Sequence, residues 1–223
     1  MTKLKKLKDP GSAITHFIGC LMAVFAAIPL LLKSASHPGK IHIISLSIFI
    51  ISMILLYIAS TLYHSFNVSN KVNRRLKKFD HMMIYVLIAG TYTPVCLIAL
   101  GGPIGIGLLI LIWSLALLGI IVTGFWVNCP KWLSSIVYIA MGWTCVLAFT
   151  QIINSLPPQG FYWLLAGGII YTIGGIIYAL KLPIFNRRHP YFGSHEIFHL
   201  FVMGGSLCHF ILMYQFIATM PVS

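Results

Sequence analysis

The chain has 223 residues, of which 59% are hydrophobic and only 8% are charged. Soluble globular domains carry about 25% charged residues, so this composition excludes a soluble enzyme and favours a single domain that lies in lipid. Fifteen lysines and arginines outnumber three acids and give a formal net charge of +12. These cations lie in short segments between apolar runs, as in membrane proteins, so no nucleic-acid partner is expected.

Seven apolar runs are long enough to cross a membrane as helices, because a spanning helix needs about 20 residues. Without water the backbone must satisfy its own hydrogen bonds, and the alternation typical of a membrane barrel is not visible. We therefore predict an all-α bundle at 13–218, preceded by a basic segment at 1–12 and followed by a tail at 219–223. The first run is too long for a signal peptide, so we expect it to remain as a span. The predicted spans are Ala13–Leu32, Ile41–Phe66, His81–Leu100, Ile104–Trp126, Trp132–Ile153, Phe161–Leu182 and His195–Ala218.

The distribution of cations predicts the orientation of the bundle. One side carries only Lys33 and Lys40, whereas the other carries 13 lysines and arginines. Cytoplasmic segments are rich in these residues, so we predict a cytoplasmic N-terminus and, with seven spans, an external C-terminus. The residues on the more basic side are Lys3, Lys5, Lys6, Lys8, Lys71, Arg74, Arg75, Lys77, Lys78, Lys131, Lys181, Arg187 and Arg188.

Three features within the spans are interpreted as structural. Pro94 is expected to kink the third span. Glycines repeat every seven residues in the sixth span, at Gly167/Gly174 and Gly168/Gly175, which predicts a thin face for close helix packing. The five cysteines contain no C-x-x-C pair and are expected to be apolar packing residues rather than disulfides or thiolate metal ligands.

Two histidines at the start of the predicted seventh span have the spacing of a metal site. His195 and His199 are four residues apart, which puts them on one helix face, one turn apart. Two imidazoles so placed can hold one metal ion. Taken alone, the pair is more typical of hydrogen-bonded histidines at the membrane interface.

Two other spans bring polar groups to the same predicted depth. Ser60 and His64 share a face at the end of the second span, and Asp80 precedes the third. Three neutral imidazoles suit Zn²⁺ and leave a fourth position for water, as in catalytic zinc sites, and a nearby carboxylate can take a proton from that water. The sequence therefore predicts a zinc site, with separate interfacial histidines and a dipole-stabilised carboxylate as the alternative.

Other polar residues nearby are expected to stay outside this site. His16 is expected at the membrane interface rather than behind a metal ligand. His209 lies about 15 Å deeper on the seventh span and is expected to face the bundle. Glu196, turned about 100° from His195, is expected to pair with an arginine at 187–188.

The same residues fall in stretches that resemble the motif blocks of one family. The stretches are Ser60-x3-His64, Phe79-Asp80-His81 with Gly90-Thr91-Tyr92-Thr93-Pro94, His195-Glu196-Ile197-Phe198-His199, and Ala13-Ile14-Thr15-His16 at the first span. Together they resemble the hemolysin III family, which belongs with the progestin and adipoQ receptors, including the adiponectin receptors. The resemblance covers nearly the whole chain.

The resemblance implies seven helices, an inside N-terminus and zinc held by His64, His195 and His199. It also implies that Asp80 contacts the zinc-bound water and that Ser60 lies near that water. The wider group is proposed to consist of membrane hydrolases, adiponectin receptors are linked to cleavage of the ceramide amide, and bacterial members were named for haemolytic, pore-like behaviour. We therefore expect a multi-pass protein of the plasma membrane, the cytoplasmic membrane in a bacterium.

The sequence departs from the family pattern just before the first span. The family commonly has an acidic residue there, whereas Asp9 is the only acid at this place, and Pro10 and Gly11 disturb its spacing. We therefore assign no role to this acidic position from the sequence.

Three functions are compatible with these features. The leading one is a membrane zinc hydrolase of a lipid-like amide or ester, with Asp80 as general base and then acid and Ser60 as a donor to the developing oxyanion. The second is a pore-forming cytolysin, although the spans offer no ring of charge. The third is a zinc-stabilised receptor without turnover, since a fold does not establish an activity. The expected partner is membrane lipid, and the oligomeric state is left open.

Overall fold

The computed structural model describes residues 7–36, 39–180 and 192–222. This part of the chain contains seven helices long and apolar enough to span a membrane and no strand, which confirms the predicted all-α bundle. The helices are α1 (Pro10–Ala35), α2 (Lys40–Ser65), α3 (Asn70–Leu100), α4 (Gly102–Phe125), α5 (Lys131–Ser155), α6 (Pro158–Leu180) and α7 (Ser194–Thr219).

The third helix begins well before the predicted span. It starts at Asn70 rather than at His81, because Ser69 caps it by accepting a hydrogen bond from the Val72 backbone N–H at 3.3 Å. Its first turns are basic and exposed or partly exposed. Hydropathy marks only the apolar part of this helix, so the predicted boundary is wrong by 11 residues.

Two helices change their winding inside the bundle. In α3 the α-helix gives way after Pro94 to a π-helical segment, Val95–Leu100, in which the Gly101 N–H donates to the Cys96 carbonyl at 3.1 Å. The kink expected at Pro94 stays a prediction, and the change of winding directly after it is what the structure shows. In α5 the segment Trp143–Ala148 is 3₁₀-helical. The Tyr92 hydroxyl bonds two backbone groups at this change of winding. It donates to the Gly142 carbonyl at 2.6 Å and accepts from the Cys145 N–H at 2.8 Å.

The bundle closes because the last helix packs against the first. Consecutive helices pack together from α1 to α4 and from α5 to α7, and α7 also contacts α1. Large apolar side chains cover the outside; Leu32, Phe125 and Leu147 are 69%, 83% and 74% exposed. Such a surface suits lipid, which does not penalise exposed apolar groups.

Both predicted glycine columns of α6 are packing faces. A Cβ atom at Gly174 would lie 2.7 Å from Phe201 Cβ on α7, and one at Gly175 would lie 3.1 Å from Ile139 on α5. The two columns therefore bring α6 close to a different neighbour on each side.

The prediction that the cysteines are buried packing residues is confirmed for Cys96 and Cys208 only, and the orientation is not tested. All five cysteines, Cys20, Cys96, Cys129, Cys145 and Cys208, are free in the structure. The cytoplasmic N-terminus stays a prediction. Six of the cations behind it lie outside the described residues: Lys3, Lys5, Lys6, Lys181, Arg187 and Arg188.

Candidate metal centre

Three histidines meet where α2 ends and α7 begins. His64 lies in the last turn of α2, and His195 and His199 lie in the first two turns of α7. Each offers a ring nitrogen, and these atoms all lie within 4.8 Å of one another. His64 and His199 are buried and His195 is partly buried. The structure thus brings together the three residues that the sequence marked as metal ligands.

The spacing of the ring nitrogens fits a tetrahedral metal ion. His64 Nε2 and His195 Nε2 are 3.3 Å apart. Two nitrogens bound at about 2.0–2.1 Å to a tetrahedral zinc are about 3.3 Å from each other. Imidazole nitrogens are also ligands that zinc accepts readily. The donor set and its spacing therefore fit the zinc site implied by the motifs.

Asp9 holds the ring of His64 in a ligand orientation. Its Oδ2 accepts a hydrogen bond from His64 Nδ1 at 2.9 Å, and its backbone N–H donates to the His64 carbonyl at 2.9 Å. With the proton on Nδ1, the lone pair of Nε2 points toward the cluster, which is the usual carboxylate–histidine arrangement at metal sites.

The expectation that the acidic position lacks an assured role is therefore wrong. Pro10 opens α1 directly after Asp9, and proline is well suited to the first helical position. Pro10 and Gly11 thus begin the helix instead of displacing the carboxylate.

The hydroxyl of Thr15 orients His199 in a similar way. It lies 3.2 Å from His199 Nδ1 and donates its own proton to the Gly11 and Ser12 carbonyls, at 2.9 and 3.0 Å. Since that proton is already used, the network assigns Nδ1 of His199 as the donor. Nε2 is then left with a lone pair for a metal ion.

His16 lies directly behind His199. Its ring stacks on that of His199 with a centroid separation of 3.6 Å and an interplanar angle of 9°. It is 3% exposed, because it falls on the buried stripe of α1 with Ser12 and Gly19. The alternative position of His16, behind a candidate metal ligand, is therefore the one that the contacts favour.

Glu196 ties α7 to α1 and caps its own helix. Its Oε1 accepts from the Ser12 hydroxyl at 2.5 Å, and its Oε2 accepts from the Gly193 N–H at 2.7 Å. Its expected arginine partners at 187–188 lie outside the described residues. The carboxylate thus fixes the start of α7, one residue after His195.

The two residues predicted to act on the substrate line the same cavity as the histidines. Asp80, on α3, is 9% exposed, and its Oδ2 lies 3.5 Å from His81 Nδ1. Ser60 is buried one turn before His64. Both border the cavity, and Asp80 is outside the three-histidine cluster itself. Their catalytic roles stay predictions.

The cavity is a long, mainly apolar chamber. Its volume is about 520 Å³, within the range of small-molecule sites. Along α3 it extends from Lys77 to Val95, a rise of about 27 Å at 1.5 Å per residue. Its far part is bordered by Ile152 and Phe161. A chamber of this length and lining can hold a hydrocarbon chain with its polar end at the histidines.

Sequence reasoning missed Asp9, Thr15 and His16 as parts of the centre. One signal was present for Asp9, since it is one of only three acids in the chain. His16 lies one helical turn after Ser12, on the same face of α1. Only the packing of α1 against α7 shows that this face contacts α7.

Comparison with known proteins agrees with this architecture. The model of a family described as haemolysin-III related matches residues 4–210. The chain is 41% identical over 211 residues to "Hemolysin-3" of Bacillus cereus, covering 94% of this chain and 91% of that protein. It is 41% identical over 214 residues to "Hemolysin-3 homolog" of Bacillus subtilis (strain 168), covering 96% of each.

A more distant likeness reaches an animal receptor group. "Progestin and adipoQ receptor-like protein 1" of Caenorhabditis elegans is 25% identical over 228 residues, covering 91% of this chain and 50% of that protein. The seven apolar helices and the Bacillus relatives also confirm a multi-pass protein of the bacterial cytoplasmic membrane. With the match extending across almost its full length, the chain belongs to the haemolysin-III-related family.

Proposed function

We propose that the chain is a zinc-dependent membrane hydrolase that cleaves an amide or ester bond of a lipid. One observation carries this proposal: an apolar cavity inside the bundle ends at three converging histidines, with a buried carboxylate on its wall. A lipid chain can lie in the apolar part while its carbonyl reaches the polar end.

The chain supplies a complete set of ligands for the ion. His64, His195 and His199 would hold it through ring nitrogens, and three protein ligands leave a fourth position open. When bound, zinc supplies Lewis-acid polarisation of a carbonyl and makes water an effective nucleophile near neutral pH. Asp9 and Thr15 keep two of the rings in the orientation that this requires.

Asp80 and Ser60 have the chemistry for proton transfer and charge stabilisation. Asp80 would accept a proton from the attacking water and later deliver it to the leaving amine or alcohol. The Ser60 hydroxyl would donate to the oxygen on which negative charge develops. Both side chains border the cavity beside the histidines, and their burial keeps bulk water away from the reacting bond.

The proposal is tested by measuring zinc and turnover on the same purified variants. Asp80→Asn should keep bound zinc and lose activity by about 10²- to 10⁴-fold, the usual contribution of a general acid–base group. His64→Ala should lose both. Ceramides and phospholipids are the substrates to screen, with product detected by mass spectrometry.

The matched control is a buried histidine at the opposite end of α2. His42 lies 22 residues before His64, about 33 Å away along the helix, and its Nε2 bonds the Met220 carbonyl at 2.8 Å. His42→Asn should keep both zinc and turnover. Full turnover in Asp80→Asn would remove Asp80 as the general base. Bound zinc without turnover in the parent chain would point instead to a zinc-stabilised receptor, and stoichiometric zinc in His64→Ala would remove the ligand assignment.

The name of the Bacillus cereus relative, "Hemolysin-3", favours pore formation as a second candidate. A pore needs a polar path across the whole bilayer, which the mainly apolar cavity of one chain does not offer. An oligomer would have to supply it. Dye leakage from liposomes caused by the pure protein, unchanged after zinc removal, would favour this function over hydrolysis.

A further inference from the structure

A second group of polar side chains borders the cavity far from the metal centre. His209 lies ten residues beyond His199 on α7, about 15 Å along the helix axis. Both histidines line the same cavity, as does Tyr171 of α6. His209 is 6% exposed and sits where the surrounding wall is largely apolar.

The hydroxyl groups beside His209 contain an unused donor. Tyr57 donates to the Ser206 hydroxyl at 2.8 Å, and the Tyr171 hydroxyl forms a second bond to Ser206 at 2.8 Å. Three hydroxyls carry three protons, and two mutual bonds use two of them. One proton is therefore left for an acceptor outside this pair of bonds.

The ring of His209 is held firmly but is not fully satisfied. It stacks on Tyr171 with a centroid separation of 5.4 Å, and a Cβ atom added at Gly167 would lie 2.7 Å from its Nε2. Its Nδ1 has no hydrogen-bond partner among the described residues. That atom has almost no accessible surface, so a ligand in the cavity would contact the rest of the His209 ring, since His209 borders the cavity.

We propose that His209 and Tyr171 form a subsite for a hydroxyl group on the hydrocarbon chain of the bound lipid. One nitrogen of a neutral imidazole can donate or accept, and a phenol can do both, which matches a hydroxyl and not a methylene. A charged group would be buried there without a counter-charge, at a large cost. The subsite thus selects lipids whose chain is oxygenated partway along.

The distance to the metal centre sets the position of that hydroxyl. An extended chain advances about 1.2 Å per bond, since a residue of three backbone bonds spans at most about 3.6 Å. The separation of about 15 Å along α7 then corresponds to about 12 bonds from the carbonyl. The inference rests on the proposed function for the position of that carbonyl at the three histidines.

Binding of three fatty acids to the purified full chain in lipid nanodiscs tests the subsite. The probes are octadecanoic acid, 2-hydroxyoctadecanoic acid and 12-hydroxyoctadecanoic acid, each measured by competition against a fluorescent fatty acid. The 12-hydroxy acid should bind about tenfold more tightly than the other two, as expected for one well-made hydrogen bond to a buried group. Equal affinity for all three, as when the polar group holds only water, overturns the inference.

Substitutions at and around His209 test whether this side chain produces the preference for the 12-hydroxy acid. His209→Phe should abolish it, and His209→Gln, which keeps a donor and an acceptor, should retain part of it. Gly167→Ala presses on the His209 ring and should weaken the preference, whereas Gly168→Ala, whose Cβ would be 4.0 Å from the nearest side-chain atom, that of Trp143, should not. An undiminished preference in His209→Phe would also overturn the assignment.

Hydrolysis assays on the same preparations separate this inference from the proposed function. A 12-hydroxy preference without any lipid cleavage supports the subsite and defeats the hydrolase. Zinc-dependent cleavage without a 12-hydroxy preference supports the hydrolase and defeats the subsite.

Discussion

The two ring nitrogens of His64 have different roles in the metal centre. Nδ1 is bound to Asp9 at 2.9 Å, while Nε2 faces His195. The carboxylate both selects the tautomer and increases the basicity of the ligating nitrogen. Asp9 is thus placed to position a bound ion through the ring of His64.

Replacing Asp9 with asparagine should weaken zinc binding by about 10- to 100-fold, the usual effect of losing such a partner. Competition with a chelator of known affinity measures the change. Lys8→Gln is the matched control, because it removes a different contact of the Asp9 carboxylate, an ion pair of 3.7 Å that is partly exposed. Such pairs contribute little, so zinc affinity should stay within about twofold. Unchanged affinity in Asp9→Asn would show that the carboxylate does not support the ligand.

At the residue scale, the sequence predicted that the three histidines converge, but it did not predict the groups that hold their rings. His195 and His199 were found because they are four residues apart on one helix, a relation that needs no knowledge of packing. The contacts of Asp9 and His16 join α1 to α2 and α7. Contacts between helices distant in sequence depend on which faces meet, and hydropathy does not specify that.

At the scale of helices, the close contact of α2 with α3 depends on one glycine, Gly90, which has no side chain. A Cβ atom added at Gly90 would overlap the Ser52 hydroxyl and lie 2.7 Å from Ser52 Cβ. The Ser52 hydroxyl is already bound to the Phe49 carbonyl at 2.6 Å and is buried. The two helices therefore have no room to accommodate even a methyl group without moving.

We expect Gly90→Ala to lower the free energy of unfolding by about 1–3 kcal/mol, the usual cost of overpacking. Gly107→Ala is the control, because nothing lies within 4 Å of its added Cβ atom and alanine favours a helix by up to about 1 kcal/mol. Unfolding in detergent followed by circular dichroism compares the two. Equal stability of Gly90→Ala and the parent chain would mean that α2 and α3 are less closely packed than described.

Helix number and order followed from the sequence, whereas helix ends followed only in part. Apolar length identifies each span because the bilayer sets a minimum. The first turns of α3 lie before the apolar part and are stabilised by the Ser69 cap, which hydropathy does not register. The changes of winding at Val95 and Trp143 likewise depend on local contacts, among them the bonds of the Tyr92 hydroxyl.

For the whole molecule, the asymmetry of lysine and arginine predicts that the loop between α1 and α2 is external and the loop between α2 and α3 is cytoplasmic. Ser36 and Asn70 are exposed residues beside these two loops. In a background without native cysteines, Ser36→Cys should react with a membrane-impermeant maleimide on intact cells. Asn70→Cys should react only after the membrane is permeabilised. The opposite pattern would reverse the orientation and put the metal centre near the external surface.

Sequence patterns do not predict how the bundle closes. Hydropathy predicts seven spans but does not say that α7 returns to α1, a contact supported by the Ser12–Glu196 hydrogen bond of 2.5 Å. This closure brings α1 to His199 and encloses the cavity.

The histidines at 64, 195 and 199 come from the second and the last of the seven helices. During synthesis, about 130 residues must follow His64 from the ribosome before its partners exist. The centre can therefore form only after the last helix has inserted. Any ion held there binds late and stabilises a bundle whose helices are already in place. A chain shortened before α7 should be made and inserted but remain unable to retain the metal.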